Sequence, residues 1–131
     1  MAEGRRHRGD WAIMDPVILV SFDIDGTLEV GDPPGPIALQ MVREAQRRGH
    51  VIGSSSDRTV AEQRRMWEAA GVVVDFVGHK HHLDQTRERF ACTRLMHIGD
   101  THVDEYYAKL HGYEFYYADA VPEPGSEDWI Y

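Results

Sequence analysis

Two carboxylates two positions apart, Asp23 and Asp25, follow directly on the apolar run Val17-Ile18-Leu19-Val20 and are themselves followed by Gly26 and Thr27. Like charges this close repel, so a chain that pairs them at a strand end has a cation or a charged substrate to hold there. Further along stand Ser54-Ser55-Ser56-Asp57, then Lys80, then Asp100 and Asp104. Asp23, Asp100 and Asp104 have the oxygen chemistry that suits Mg²⁺, a hard cation that takes few protein ligands beside water and phosphate. A lysine and a serine or threonine hydroxyl can donate to phosphoryl oxygens. Backbone amides at the Gly26-Thr27 turn can add an anion-binding concavity. In such a site one aspartate can attack phosphorus covalently. A second, two residues on, can protonate the leaving oxygen and later activate water.

These groups are spread over nearly eighty positions, so the fold must collect them. The apolar run reads as a buried strand. Pro36 lies near the start of a helix on which Ile37, Met41 and Ala45 recur until Gly49. Val51 and Ile52 open a second strand that ends in the serines, and a second helix covers Val60 to Ala70. Val73 to Val77 reads as a third strand, Leu83 to Ala91 as a third helix and Leu95 to Ile98 as a fourth strand. Val103, Tyr107 and Leu110 mark a fourth helix, and Glu114 to Ala118 a fifth strand. Strands alternating with helices predict a doubly wound, Rossmann-like α/β fold: about five parallel strands with helices on both faces. Ligands bind such sheets beyond the carboxyl ends of the strands. Asp23 and Asp25, the serines, Lys80 and Asp100 all fall there.

With 131 residues, 42% of them hydrophobic, the chain predicts one core domain over 16–118. Residues 1–15, basic at Arg5, Arg6 and Arg8, read as a mobile arm with Trp11 and Ile13 tacked onto the core. Residues 119–131 read as an irregular tail, whose Trp129 and Tyr131 dock onto this domain or a neighbour. No apolar run is long enough to span a bilayer or to serve as a secretory signal. The single cysteine, Cys92, excludes an internal disulfide, argues against a thiolate metal centre, and suits a cytoplasmic location. A net charge of −8 argues against a sequence-independent nucleic-acid binder, leaving nucleic acid a possible but unfavoured partner.

The segment Asp23-Ile24-Asp25-Gly26-Thr27-Leu28 resembles the first motif, D-x-D-G-T, of the haloacid dehalogenase (HAD) superfamily. That family's second motif is a serine or threonine ending the next strand. Ser56 matches it best, with Ser54 the alternative. Its third is a lysine before a helix, matched by Lys80. Its fourth, G-D-x-x-x-D, is complete as Gly99-Asp100-Thr101-His102-Val103-Asp104. The resemblance runs from about Val17 to Ala118. It implies a Mg²⁺-dependent phosphatase acting on a phosphorylated substrate. Asp23 would be nucleophile and metal ligand, and Asp25 the general acid/base, with its backbone carbonyl also on the metal. Asp100 would be a further metal ligand. Asp104 would act through a water on the metal or by orienting Lys80. Thr27, Ser56 and Lys80 would hold phosphoryl oxygens.

Two departures stand out. His81, not proline, follows Lys80, within His79-Lys80-His81-His82. There is also no room for a cap domain, since residues 29–50 and 57–79 hold little more than one helix each beside short connections. A capless member leaves its site open to a large substrate, or borrows a lid from its own arms or from a second copy in a homo-oligomer. A polynucleotide end phosphatase and a non-catalytic binding or regulatory module are the competing functions. His79, His81, His82, His97 and His102 lie near the site by sequence, without a standard zinc-motif spacing. One or two of them are expected to touch substrate or line the rim, with the others solvated. Arg58, directly after the second motif, is placed to reach an anionic substrate.

Overall fold

A computed structural model describes residues 17–127, 129 and 130. The basic arm with Trp11 and Ile13, and Tyr131, lie outside the described residues. Five strands, β1 (Ile18–Phe22), β2 (Val51–Ser55), β3 (Phe76–Gly78), β4 (Arg94–Gly99) and β5 (Glu114–Tyr117), form one sheet in the order β3-β2-β1-β4-β5. Every pairing is parallel. The chain therefore runs outward from β1 to β3, then returns to β1's other side to build β4 and β5. Strand order reverses at β1, which opens a crevice beyond the ends of β1 and β4. No helix among the described residues is long and apolar enough to cross a membrane.

Helices α1 (Leu39–Arg47), α2 (Val60–Ala70), α3 (Leu83–Glu88) and α4 (His102–Leu110) cover the two faces. Alternation along β1 sorts them. Ile18, Val20 and Phe22 join Val42, Ala45 and Trp67 in one core with α1 and α2. Leu19, on the opposite face, packs with Phe76, Leu83, Ala108 and Tyr113 beside α3 and α4. The tail feeds the first core: Trp129 and Ile130 are buried there, and Trp129 meets Tyr116 edge-on. Trp129 thus docks onto its own domain.

Three expected boundaries move by more than one residue. The third strand begins at Phe76, not Val73. Asp75 Oδ2 accepts the Ile52 amide at 2.9 Å, so a side chain occupies the ladder position where β2–β3 pairing would otherwise start. Val73 is left 89% exposed in the connection. Ile37 precedes α1 instead of joining it, because it bridges to Leu28 and closes the loop after β1. The third helix ends at Glu88, short of Ala91, and a 3-10 turn, Lys80–His82, leads into it.

Candidate active site

β1 ends at Phe22, paired with Ser54 of β2 and Ile98 of β4, so the next residues emerge where the crevice opens. The Asp23 amide extends the ladder by donating to the Ile98 carbonyl at 2.9 Å, which fixes the side chain at the sheet edge. An open cavity of about 720 Å³ lies there, lined by Asp23, Asp25, Ser56, Lys80 and Asp100 together with Pro33, Asp57, Thr101, His102, Val103 and Tyr117.

Carboxylate oxygens of Asp23, Asp100 and Asp104 lie within 4.8 Å of one another. Two glycines make the approach possible. Gly26 has φ +77°, and a Cβ there would fall 2.0 Å from Asp100 Oδ2; a Cβ on Gly99 would fall 2.3 Å from Asp104 Cγ. Both motif glycines are therefore spaces for motif aspartates. Gly26→Ala combines a left-handed backbone, about 1–2 kcal/mol for a non-glycine residue, with displacement of Asp100. Thermal melts of Gly26→Ala should show lower stability than the parent.

Lys80 is nearly fully buried. Its Nζ lies 3.1 Å from Asp104 Oδ1, 3.7 Å from Asp23 Oδ2 and 3.6 Å from Asp57 Oδ2. Burial works against its charge, but Asp23 and Asp104 outweigh that and hold its pKa above the usual lysine value. Asp104 is also opposed by burial. Donors outweigh it: His97 Nε2 at 2.9 Å, the Lys80 ammonium, and Thr101, whose hydroxyl and amide close a capping box on α4. They hold the carboxyl well below the usual range. Asp23 goes the other way. Burial first, then the Asp104 charge, push its pKa up to about 8, only partly offset by Lys80 and the Ile24 amide. One ammonium serves two buried carboxylates, and Asp104 wins it.

Asp25 differs again. Arg58 donates to it in a fork, Nε to Oδ2 at 3.1 Å and Nη2 to Oδ1 at 2.5 Å, and this is the main reason its pKa falls below the usual carboxylate value. The Asp32 amide adds a bond at 2.8 Å.

Ser56 is resolved from Ser54. The Ser54 hydroxyl accepts from Trp67 Nε1 and donates to Gln63 Oε1, which ties it to α2, whereas Ser56 lines the cavity. Thr27 does not reach the cavity. It is fully buried, its hydroxyl has no hydrogen-bond partner, and it lies outside the cavity lining. Nor do the turn amides form the expected concavity. Gly26 N–H goes to the Pro33 carbonyl at 2.7 Å and Thr27 N–H to the Ile24 carbonyl at 3.0 Å, so both close the loop.

The histidines divide three ways. His102 lines the cavity. His79, His81 and His82 pack on one another with ring centroids 4.1–6.1 Å apart, outside the lining. His97 is neither at the rim nor solvated. It is fully buried, linking Asp104 to Ser21 Oγ at 2.9 Å, which lies 2.7 Å from Ser55 Oγ. Sequence reasoning missed this row, although a signal was present: Ser21 and His97 are each flanked on both sides by apolar strand residues, and they pair in register.

Compared with protein-family models, with curated proteins and with solved structures, the chain matches none. The site has to be read from its own geometry. It can hold a divalent cation on carboxylates, offer an ammonium and a hydroxyl to an anion, and present one buried carboxylate to an electrophile.

Proposed function

We propose that this protein is a Mg²⁺-dependent phosphomonoesterase of the HAD superfamily, working through an aspartyl-phosphate on Asp23. One observation carries the reading: the buried Asp23 carboxylate lies 3.7 Å from the Lys80 ammonium and within 4.8 Å of oxygens of two further aspartates, Asp100 and Asp104, beside a cavity at the topological switch point. Asp23, Asp25, Asp57 and Asp100 line that cavity beside Lys80, while Arg58, bound to Asp25, is not among its lining residues. A phosphate dianion would not enter so acidic a pocket without a cation, and the oxygen-only donor set suits Mg²⁺ over softer metals. Asp23 and Asp100 would hold it, with the Asp25 carbonyl. Bound there, the cation would neutralise phosphoryl charge.

The chain's own groups account for the rest. Lys80 Nζ and Ser56 Oγ donate to the phosphoryl oxygens and orient phosphorus toward Asp23. An Asp23 oxygen forms a bond to phosphorus as the bond to the leaving oxygen breaks; Asp25, once off the Arg58 fork and protonated from solvent, delivers that proton to the leaving oxygen. Water then attacks phosphorus, giving its proton to Asp25 and releasing Asp23. Asp104, bonded to both His97 and Lys80, keeps the ammonium in place. A cytoplasmic location belongs to the same proposal, and the lone free Cys92 suits it.

Phosphate release from p-nitrophenyl phosphate should require Mg²⁺ and stop with a chelator. Mg²⁺ binding without hydrolysis across a panel of sugar phosphates, nucleotides, phosphopeptides and phosphorylated oligonucleotides would favour the binding-module reading instead.

A further inference from the structure

The phosphatase reading leaves one cation without a task. Lys80 lies inside the cavity against Asp23, where the reacting phosphoryl group must sit. Arg58 does not line the cavity. Its guanidinium is joined to the cavity wall through Asp25, a lining residue that takes the fork. Whatever anion Arg58 can reach is therefore not the group attacked by Asp23, but one carried further out.

The guanidinium is already shaped for such a group. It holds the Asp25 carboxylate through two N–H donors in the planar fork with which arginine binds carboxylates and phosphates. Two of its five donors are used in this way. The side chain is 26% exposed, so a ligand can approach it from solvent. Its position is fixed from below, because the Arg58 amide donates to Ser56 Oγ at 3.1 Å and its carbonyl accepts from Gln63 Nε2 at 2.9 Å. Glu62 and Asp32 are its other charged neighbours, and Glu62 is taken by Thr59 in the capping box of α2. The Asp25 carboxylate thus occupies an anion site on Arg58.

We propose that Arg58 is a specificity-determining residue that binds a second anionic group of the substrate, so the preferred substrates are phosphomonoesters bearing a carboxylate or another phosphate beyond the scissile one. This rests on the phosphatase reading. The incoming anion replaces Asp25 on the fork charge for charge, and Asp25 is released to turn toward the leaving oxygen. A substrate with no second anion leaves Asp25 parked.

The test compares matched pairs, with Mg²⁺ present: glycerol 3-phosphate against 3-phosphoglycerate, and adenosine 3′-monophosphate against adenosine 3′,5′-bisphosphate. The first pair reports a carboxylate and the second a phosphate of a nucleotide. In at least one pair the doubly anionic member should be favoured by about 10- to 100-fold in kcat/KM, the worth of a charge-assisted hydrogen bond. Arg58→Gln should collapse that ratio toward one, and Arg58→Lys should restore part of it. If Arg58 merely positions Asp25, Arg58→Gln slows both members equally and the ratio survives, which overturns the proposal; so does an absence of preference in both pairs. Should no phosphate ester, p-nitrophenyl phosphate included, be hydrolysed, the phosphatase reading fails by itself. Calorimetric binding of the same pairs to the parent and Arg58→Gln proteins then decides the anion site separately, by the same ratio.

Discussion

Asp23→Asn should lower phosphate release from p-nitrophenyl phosphate by roughly 10⁴-fold or more, the scale on which removing a covalent nucleophile acts. Asparagine keeps the shape and cannot form the acyl phosphate. The same substitution should make the metal-free protein more stable, and the sign follows from the site. Burial and Asp104 raise the Asp23 pKa from 3.8 to about 8 in the folded chain. A carboxyl raised in this way contributes stability that is fully present below its unfolded value and lost as pH rises through the folded one. A neutral asparagine has no charge to desolvate. In a chelator, Asp23→Asn should therefore melt higher than the parent at pH 8, with little difference at pH 4. Loss of activity together with a lower melting temperature at pH 8 would point to a misfolded variant and would remove the argument for a strained nucleophile. Gain of stability with loss of turnover is the signature of a residue kept for chemistry.

The parts of this site that were legible in the sequence are those set by local rules. Parallel α/β sheets put strand ends on one side, so a polar residue after each apolar run could be placed without knowing any contact. That reasoning brought Asp23, Ser56, Lys80 and Asp100 to one cavity. It failed where a side chain substitutes for backbone. Asp75 takes the Ile52 amide and shortens β3, which the valine-rich run 72–74 conceals. It failed again where the motif turn closes on itself, since nothing in Gly26-Thr27 announces that Pro33 and Ile24 will take its amides. Partners far apart in sequence were out of reach as well. The Arg58 fork on Asp25 spans thirty-three positions, and the bond between His97 and Ser21 spans seventy-six. Those contacts decide how each aspartate is used: Asp104 held charged, Asp25 held by arginine, Asp23 left short of a cation.

That shortage gives Lys80 a large part in the stability of the metal-free protein. Lys80→Met keeps the buried stem and deletes the charge, leaving Asp23 and Asp104 facing each other with no ammonium between them. Breaking a buried ion pair from one side costs roughly 3–5 kcal/mol, which for a domain of this size is a fall in melting temperature of about 10 °C or more. The loss should depend on pH. At pH 5 Asp23 remains protonated in either protein, so the variant has chiefly Asp104 to accommodate, still bonded by His97 and Thr101. By pH 8 the parent begins to ionise Asp23 beside Lys80. The variant lacks that attraction, so its Asp23 titrates higher still and its deficit grows as pH rises. Mg²⁺ supplies the missing charge from the other side of the same carboxylates. Saturating Mg²⁺ should therefore recover a larger share of the lost stability at pH 8 than at pH 5, while turnover stays low because no ammonium meets the phosphoryl oxygens. A deficit that is the same at both pH values and indifferent to Mg²⁺ would mean that Lys80 acts by packing alone, and that the three aspartates do not share one cation.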